Sequence, residues 1–179
     1  MPPKLTPDQV KMASGYVASY ISSQRDKYLP IATSVSATHQ KSLSSFFSAD
    51  LLANTRVLFL DGERLENPSM YSIIRFMGFR NLPDYSTMAA ITFNDVVVSH
   101  EPLSTGLLFH ELVHAEQYRQ LGVERFAELY VGGFLKGGSY DSIPLEVMAY
   151  ALEDRYRGSP NEMFSVSDAV REWIAADRV

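Results

Sequence analysis

The sequence predicts an α+β fold: one domain, mostly helical, with a small sheet packed against a central helix. Three observations predict it. At 179 residues the chain suits a single domain with a sizeable buried core. Most of it places apolar residues at helical spacing. Between residues 56 and 100 that period gives way to short β-branched runs closed by turn residues. The domain 1–179 therefore divides into N-terminal helices (1–55), strands and loops (56–100), two helices that carry the chemistry (101–157) and a C-terminal helix (158–179).

Thr6-Pro7-Asp8-Gln9 is a capping box with proline at the first helical position. Val10, Ala13, Val17, Tyr20 and Ile21 follow at helical spacing, so a helix is expected from about Pro7 to Lys27, ended by Pro30. A second helix should begin near Thr38 and carry Leu43, Phe46 and Phe47. Arg56 to Leu60, closed by Asp61-Gly62, reads as a strand. Residues 63–85, with Pro68, Gly78 and Pro83, read as loop with one helical turn. Ala90-Ile91-Thr92-Phe93 and Val96-Val97-Val98-Ser99 flank Asn94-Asp95, a pair that tolerates left-handed dihedrals, so a hairpin is expected.

Ser104-Thr105-Gly106 opens a helix that should run to about Leu121, with Gly122 as its stop. A further helix follows from Val123 and ends near Gly132-Gly133 or Gly137-Gly138. Asp141 or Ser142 should cap the next one, with Pro144 in its first turn, through to about Tyr156. Gly158-Ser159-Pro160 breaks the chain. Ser167 to Ala176 makes a last helix, with Val170, Trp173 and Ile174 on one face.

Composition removes several functions. The chain is 46% hydrophobic and 21% charged, with a net charge of −5. Its 16 Lys and Arg are scattered, so no basic stripe tracks phosphates and nucleic acid is not an expected partner. It has no cysteine, which removes disulfides, thiolate zinc sites and cysteine nucleophiles. No apolar run approaches the roughly 20 residues of a membrane span, and the N-terminus lacks the apolar stretch of a secretory signal. The expected setting is cytoplasmic, or outside the cell by a route without a cleaved signal; no membrane contact is expected.

His110-Glu111-Leu112-Val113-His114 is the HExxH pattern. On a helix, residues i and i+4 lie about 6 Å apart along the axis and nearly in register around it, so two imidazoles can converge on one ion. Glu111 points about 100° away, outside the ligand set but within reach of a metal-activated water as general base. The flanking Leu107, Leu108, Phe109, Leu112 and Val113 make this a buried helix. A buried histidine pair without partners is costly, and a metal ion removes that cost. Zn2+ is the expected ion.

A catalytic zinc needs a third protein ligand and an open position. Glu146, early in the second helix of the pair, is the expected third ligand, with Asp141 and Glu153 as rivals; Ala149 is small enough to let the two helices approach. For the oxyanion of peptide hydrolysis the candidate donors are His100, Tyr140, Tyr118 and Tyr150, with Tyr140 and His100 preferred. The strand pair leads into the active helix, so its free edge is a candidate seat for an extended peptide or protein substrate. The aromatic N-terminal helices read as core; a sharper alternative has them cover the cleft.

HExxH on one helix with Glu-x-x-Ala on the next resembles the gluzincin branch of zinc metallopeptidases. Residues 91–156 are similar to small bacterial gluzincin-like domains in which a strand pair leads into His-Glu-Leu-x-His-x-x-Gln and then Ile-Pro-x-Glu-x-x-Ala-Tyr. Gln117 and the run from Ile143 to Tyr150 stand in the matching places. The resemblance covers about a third of the chain. It implies a zincin-like fold, zinc held by His110, His114 and Glu146, and Glu111 as base. One departure stands out. Thermolysin-like members place an Asp four residues after the ligand Glu, and here that position is Tyr150, so another group, Asp154 being one, must orient the histidine. Two other functions fit the same residues: a zinc hydrolase of a non-peptide amide or acyl substrate, and a non-catalytic module stapled by zinc.

Overall fold

A computed structural model describes residues 5–76, 78–79 and 81–178. The N-terminal capping box forms as expected: Gln9 N–H donates to Thr6 Oγ1 and Thr6 N–H donates to Gln9 Oε1, opening α1 (Pro7–Tyr28). A short 3-10 turn (Leu29–Ile31) leads to the two-residue strand β1 (Thr33–Ser34). α2 (Ala37–Leu43) is shorter than its apolar pattern suggests. The backbone turns at Leu43, whose carbonyl accepts from both Phe46 and Phe47. Those two rings enter the core from the turn, and Ser48 caps a further helix, α3 (Ala49–Asn54). β2 (Arg56–Phe59) and α4 (Tyr71–Phe76) follow.

The expected hairpin is β3 (Ala90–Phe93) and β4 (Val96–Ser99). Phe93 pairs with Val96, leaving Asn94-Asp95 as a two-residue loop in which Asn94 has φ of 59°. The sheet is mixed, in the order β1-β2-β4-β3. β2 runs parallel to β4, and the other two pairings are antiparallel. β3 is an edge strand. β1 left no trace in the pattern because two residues are too few for alternation to show.

The remaining elements are helices: α5 (Thr105–Gly137), α6 (Pro144–Gly158) and α7 (Val166–Ala175). α5 is two helices joined at Gly122, whose φ of 74° and ψ of 164° lie in a region only glycine occupies at low cost. From Leu108 to Tyr118 every residue of α5 is buried. The helix is surrounded by α1, α2, α6, α7 and β3, which buries its polar residues along with its apolar ones. One core cluster packs Phe46, Phe47 and Phe164 around Phe109, which stacks on Tyr156 with ring centroids 4.5 Å apart. The other packs Ile21, Tyr28, Phe93, Tyr118 and Phe126 on the far side.

One expected cap is not made. α6 starts after Ile143 without a side-chain cap, and Asp141 and Ser142 lie in a 3-10 turn before it (Tyr140–Ser142). Proline at the first position makes a cap less necessary, since it presents no free N–H. α7 starts at Val166, one residue ahead of the expected Ser167, and Ser165 caps it by accepting from Asp168 N–H. α6 meets the second half of α5 where Gly133 faces Pro144. A Cβ at Gly133 would lie 2.5 Å from Pro144 Cδ, so glycine sets this approach. No helix among the described residues is long and apolar enough to cross a membrane.

The break at Gly122 separates two kinds of glycine in α5. Gly122→Ala should lower unfolding free energy by about 1–3 kcal/mol, although no atom crowds that position. Gly132→Ala, inside the helix and equally uncrowded, should leave stability unchanged or raise it by about 0.5–1 kcal/mol. Urea unfolding of the two variants measures the contrast.

Candidate metal centre

α5 presents His110 and His114 one turn apart, and α6 brings Glu146 across from them. All three are nearly inaccessible, at 5%, 6% and 3% exposure. The two Nε2 atoms are 3.1 Å apart. Glu146 Oε2 lies 3.3 Å from His114 Nε2 and 3.6 Å from His110 Nε2. Among the described residues this is the one group of His, Asp and Glu able to hold a metal ion.

The outer nitrogens fix which atoms face inward. His110 Nδ1 is 3.0 Å from Glu153 Oε2, an acceptor. His114 Nδ1 is 2.8 Å from Gln117 Oε1. The Gln117 amide cannot be turned round, because its Nε2 donates to the Leu145 carbonyl at 2.9 Å. Both Nδ1 atoms therefore carry hydrogen, and in neutral rings both Nε2 atoms face the centre as bare lone pairs. Glu146 Oε2 joins them as a third acceptor, buried and without a hydrogen bond. Three acceptors converge with no donor between them. Such an arrangement repels itself unless a cation or protons fill the centre.

The distances are compatible with a metal ion at the centre. Ligand atoms about 2.0–2.2 Å from a tetrahedral zinc stand roughly 3.4 Å from one another. The measured separations of 3.1, 3.3 and 3.6 Å bracket that value. The residues present fit a zinc-like ion.

Without metal the cluster holds protons instead. Burial works against charge on His110, but the Glu146 and Glu153 carboxylates beside its ring outweigh it and lift its pKa to about 10. His114 is raised too, its burial offset by Glu146. Glu146 goes the other way: burial would raise it, and the two imidazoles hold it well below the usual carboxylate range.

Glu111 stands beside the three ligands and outside their set, 4% exposed. Thr92 on β3 donates its hydroxyl to Glu111 Oε2 at 2.7 Å and fixes the carboxylate. Glu111, His114 and Glu146 line one cavity of about 40 Å³ together with Tyr130 and Tyr140. That volume has room for roughly two or three waters. Burial, and next to it the charge of Glu146, push Tyr140 far above the usual phenol range, so its hydroxyl keeps its proton. Tyr118 also lines the cavity and stacks on Phe126 at 3.8 Å. Tyr150 packs its ring 4.6 Å from that of His110 but is 44% exposed.

His100 is placed differently from the sequence reading. Its Nδ1 faces the Met88 carbonyl at 2.6 Å and its Nε2 accepts from Leu65 N–H at 2.9 Å. Both nitrogens are spent on main chain, so the ring is a strut that pins the segment between β2 and β3 to the end of β4. It has no free N–H for an oxyanion and is absent from the described residues lining the cavity. Of the rival ligands, Asp141 is exposed, and Glu153 stands behind His110 rather than beside it. Glu153, held in turn by Arg157 Nε at 2.7 Å, fills the orienting role suggested for Asp154, which is exposed. The signal was available: Glu153 follows Glu146 by seven residues, two turns along the same helix face. Thr92 had no signal beyond its place on a strand.

Comparison with known protein families, with curated proteins and with solved structures finds no match to this chain.

Metal uptake should follow the protonation of the cluster. The raised His110 pKa stabilises the metal-free fold fully below its ordinary value of 6.5, and that contribution is lost as pH rises through about 10. At pH 7 the metal must displace this proton. Calorimetric titration with zinc in buffers of different ionisation enthalpy should show net proton release, and affinity should fall as pH is lowered. Uptake without proton release contradicts the assignment. Glu153→Ala or Gln117→Leu, which free one imidazole, should each weaken zinc binding about 10- to 100-fold.

Proposed function

We propose that this chain is a zinc-dependent hydrolase of gluzincin type that cleaves peptide bonds, with Glu111 as general base and His110, His114 and Glu146 as metal ligands. The observation that carries the reading is the spacing of the three inward-facing acceptors, close to a tetrahedral edge, with Glu111 alongside them. Two imidazoles and one carboxylate suit zinc among the common divalent ions. Such an ion supplies Lewis acidity, lowering the pKa of a water toward about 7 and polarising the carbonyl under attack.

The chain's own residues account for the rest. Glu111, oriented by Thr92, takes the proton of the attacking water and passes it to the leaving amine. Tyr140, kept protonated by burial and by Glu146, is the donor toward the oxyanion. Glu153 and Gln117 hold the imidazoles with their Nε2 atoms inward. The outer edge of β3 is unpaired by any described strand, and its residues Ala90 to Phe93 line the same cavity. An extended peptide main chain can pair there with its carbonyl carried toward the metal. This edge favours a peptide over a small acyl or amide substrate. The narrowness of the cavity favours a second reading, in which the ion is a structural staple and nothing is hydrolysed.

The readings separate on one variant. Glu111→Gln should retain about one zinc per chain while cleavage of an unfolded protein substrate falls at least about 100-fold. His110→Ala should lose both metal and cleavage. Equal cleavage by Glu111→Gln and the parent chain contradicts the role of Glu111. A parent chain that binds zinc, unfolds on chelation and cleaves no substrate in peptide or non-peptide panels is a stapled module instead.

A further inference from the structure

The cavity at the metal centre is too small for a peptide, so a wall must move before any substrate can reach Glu111. α1 supplies part of the wall: Val17 and Ile21, four residues apart on one face, line the same cavity as His114 and Glu146. Beside them the Tyr20 ring packs 5.8 Å from Tyr85 and 6.0 Å from Phe93 on the edge strand. α1 thus lies across the gap between β3 and α5, where an extended peptide on the free strand edge would have to sit.

α1 packs extensively along α5, but few of its side chains are sealed from solvent. Of its 22 residues only Ser14, Ala18, Ile21 and Tyr28 are buried, and two of these are small. The body of the domain is held otherwise, with α5 continuously buried through the site. At its C-terminal end α1 passes through a three-residue turn into β1, which pairs with β2 at two positions. The strongest polar tie is a bidentate ion pair. Arg25 Nε donates to Asp95 Oδ1 at 2.7 Å, and Nη2 to Oδ2 at 2.9 Å. Asp95 sits at the tip of the β3–β4 hairpin, so the pair fastens the helix to the strand edge it covers. A weaker tie is the Tyr20 hydroxyl donating to the Glu66 carbonyl at 3.3 Å.

We propose that α1 is a displaceable cover over the metal centre, latched to the β3–β4 hairpin by Arg25 and Asp95, which keeps the site latent until the helix swings away. The latency rests on the proposed hydrolase; the closure itself does not.

The test reads opening without metal or substrate. The chain has no cysteine, so Ala90→Cys, in the cavity wall, introduces a single thiol whose reaction rate with a bulky thiol reagent reports exposure of the site. In that background Arg25→Gln should raise the rate about fivefold, the upper range for one ion pair at a part-exposed site. Arg25→Asp should raise it further, and Arg25→Asp with Asp95→Arg should return it to the parent value. If Arg25→Gln unfolds the chain by circular dichroism, Tyr20→Phe is read in its place, with the same direction expected. A rate that none of these changes moves in a folded chain overturns the proposal. Peptide cleavage by the same latch variants, with Ala90 intact, is the separate arm. Faster labelling with no cleavage supports the cover and removes only the hydrolase reading; faster labelling with faster cleavage supports both.

Discussion

Three electron-pair donors forced together inside the domain are the constraint on which the rest of the structure depends. His110, His114 and Glu146 cannot sit at these distances as neutral rings and a bare carboxylate without mutual repulsion. Whatever holds them must therefore be stronger than that repulsion. The holding is done from outside: Glu153 fixes one imidazole, Gln117 the other, and the backbone of α6 fixes Gln117. Removing a cation from such a cage leaves buried polar groups uncompensated, which is the costly state for a protein interior. The raised histidines and depressed Glu146 of the metal-free chain are the same repulsion answered with protons.

The fold is arranged to pay this cost once, in one place. The stretch of α5 that carries the motif is enclosed on all sides by other elements, with aromatic clusters on either flank. Gly122 then ends the buried helix in a backbone conformation that side chains resist, and its continuation turns toward α6. Gly133 admits Pro144 at close range and so sets where Glu146 begins its helix. Two glycines and a proline thereby fix the distance between the helices that hold the ligands.

Much of this was legible in the sequence, and the unread part has physical causes. The HExxH spacing, the stop at Gly122 and the hairpin around Asn94 follow from local geometry, and local geometry is what a sequence displays. Glu146 was legible as the opening acid of the next helix, although Asp141 and Glu153 shared its chemistry; only packing separates a ligand from a residue that stands behind one. His100 misled because histidine is as useful to a backbone as to an active site. Its partners, Met88 and Leu65, come from a segment without a periodic pattern, so the strut could not be foreseen. Thr92 was hidden for a related reason. A threonine on a strand ordinarily answers to its neighbours in the sheet, and nothing in its flanking residues announces a glutamate on a helix. The extent of α2 was misjudged because Phe46 and Phe47 serve the core equally well from a turn.

Anomalous scattering at the zinc edge from crystals of purified protein tests the central claim most directly. One zinc is expected, coordinated by Nε2 of His110, Nε2 of His114 and an oxygen of Glu146, with one coordination position taken by solvent on the side of Glu111. A metal-replete crystal in which Glu146 turns away from both imidazoles, with no other side chain in its place, contradicts it.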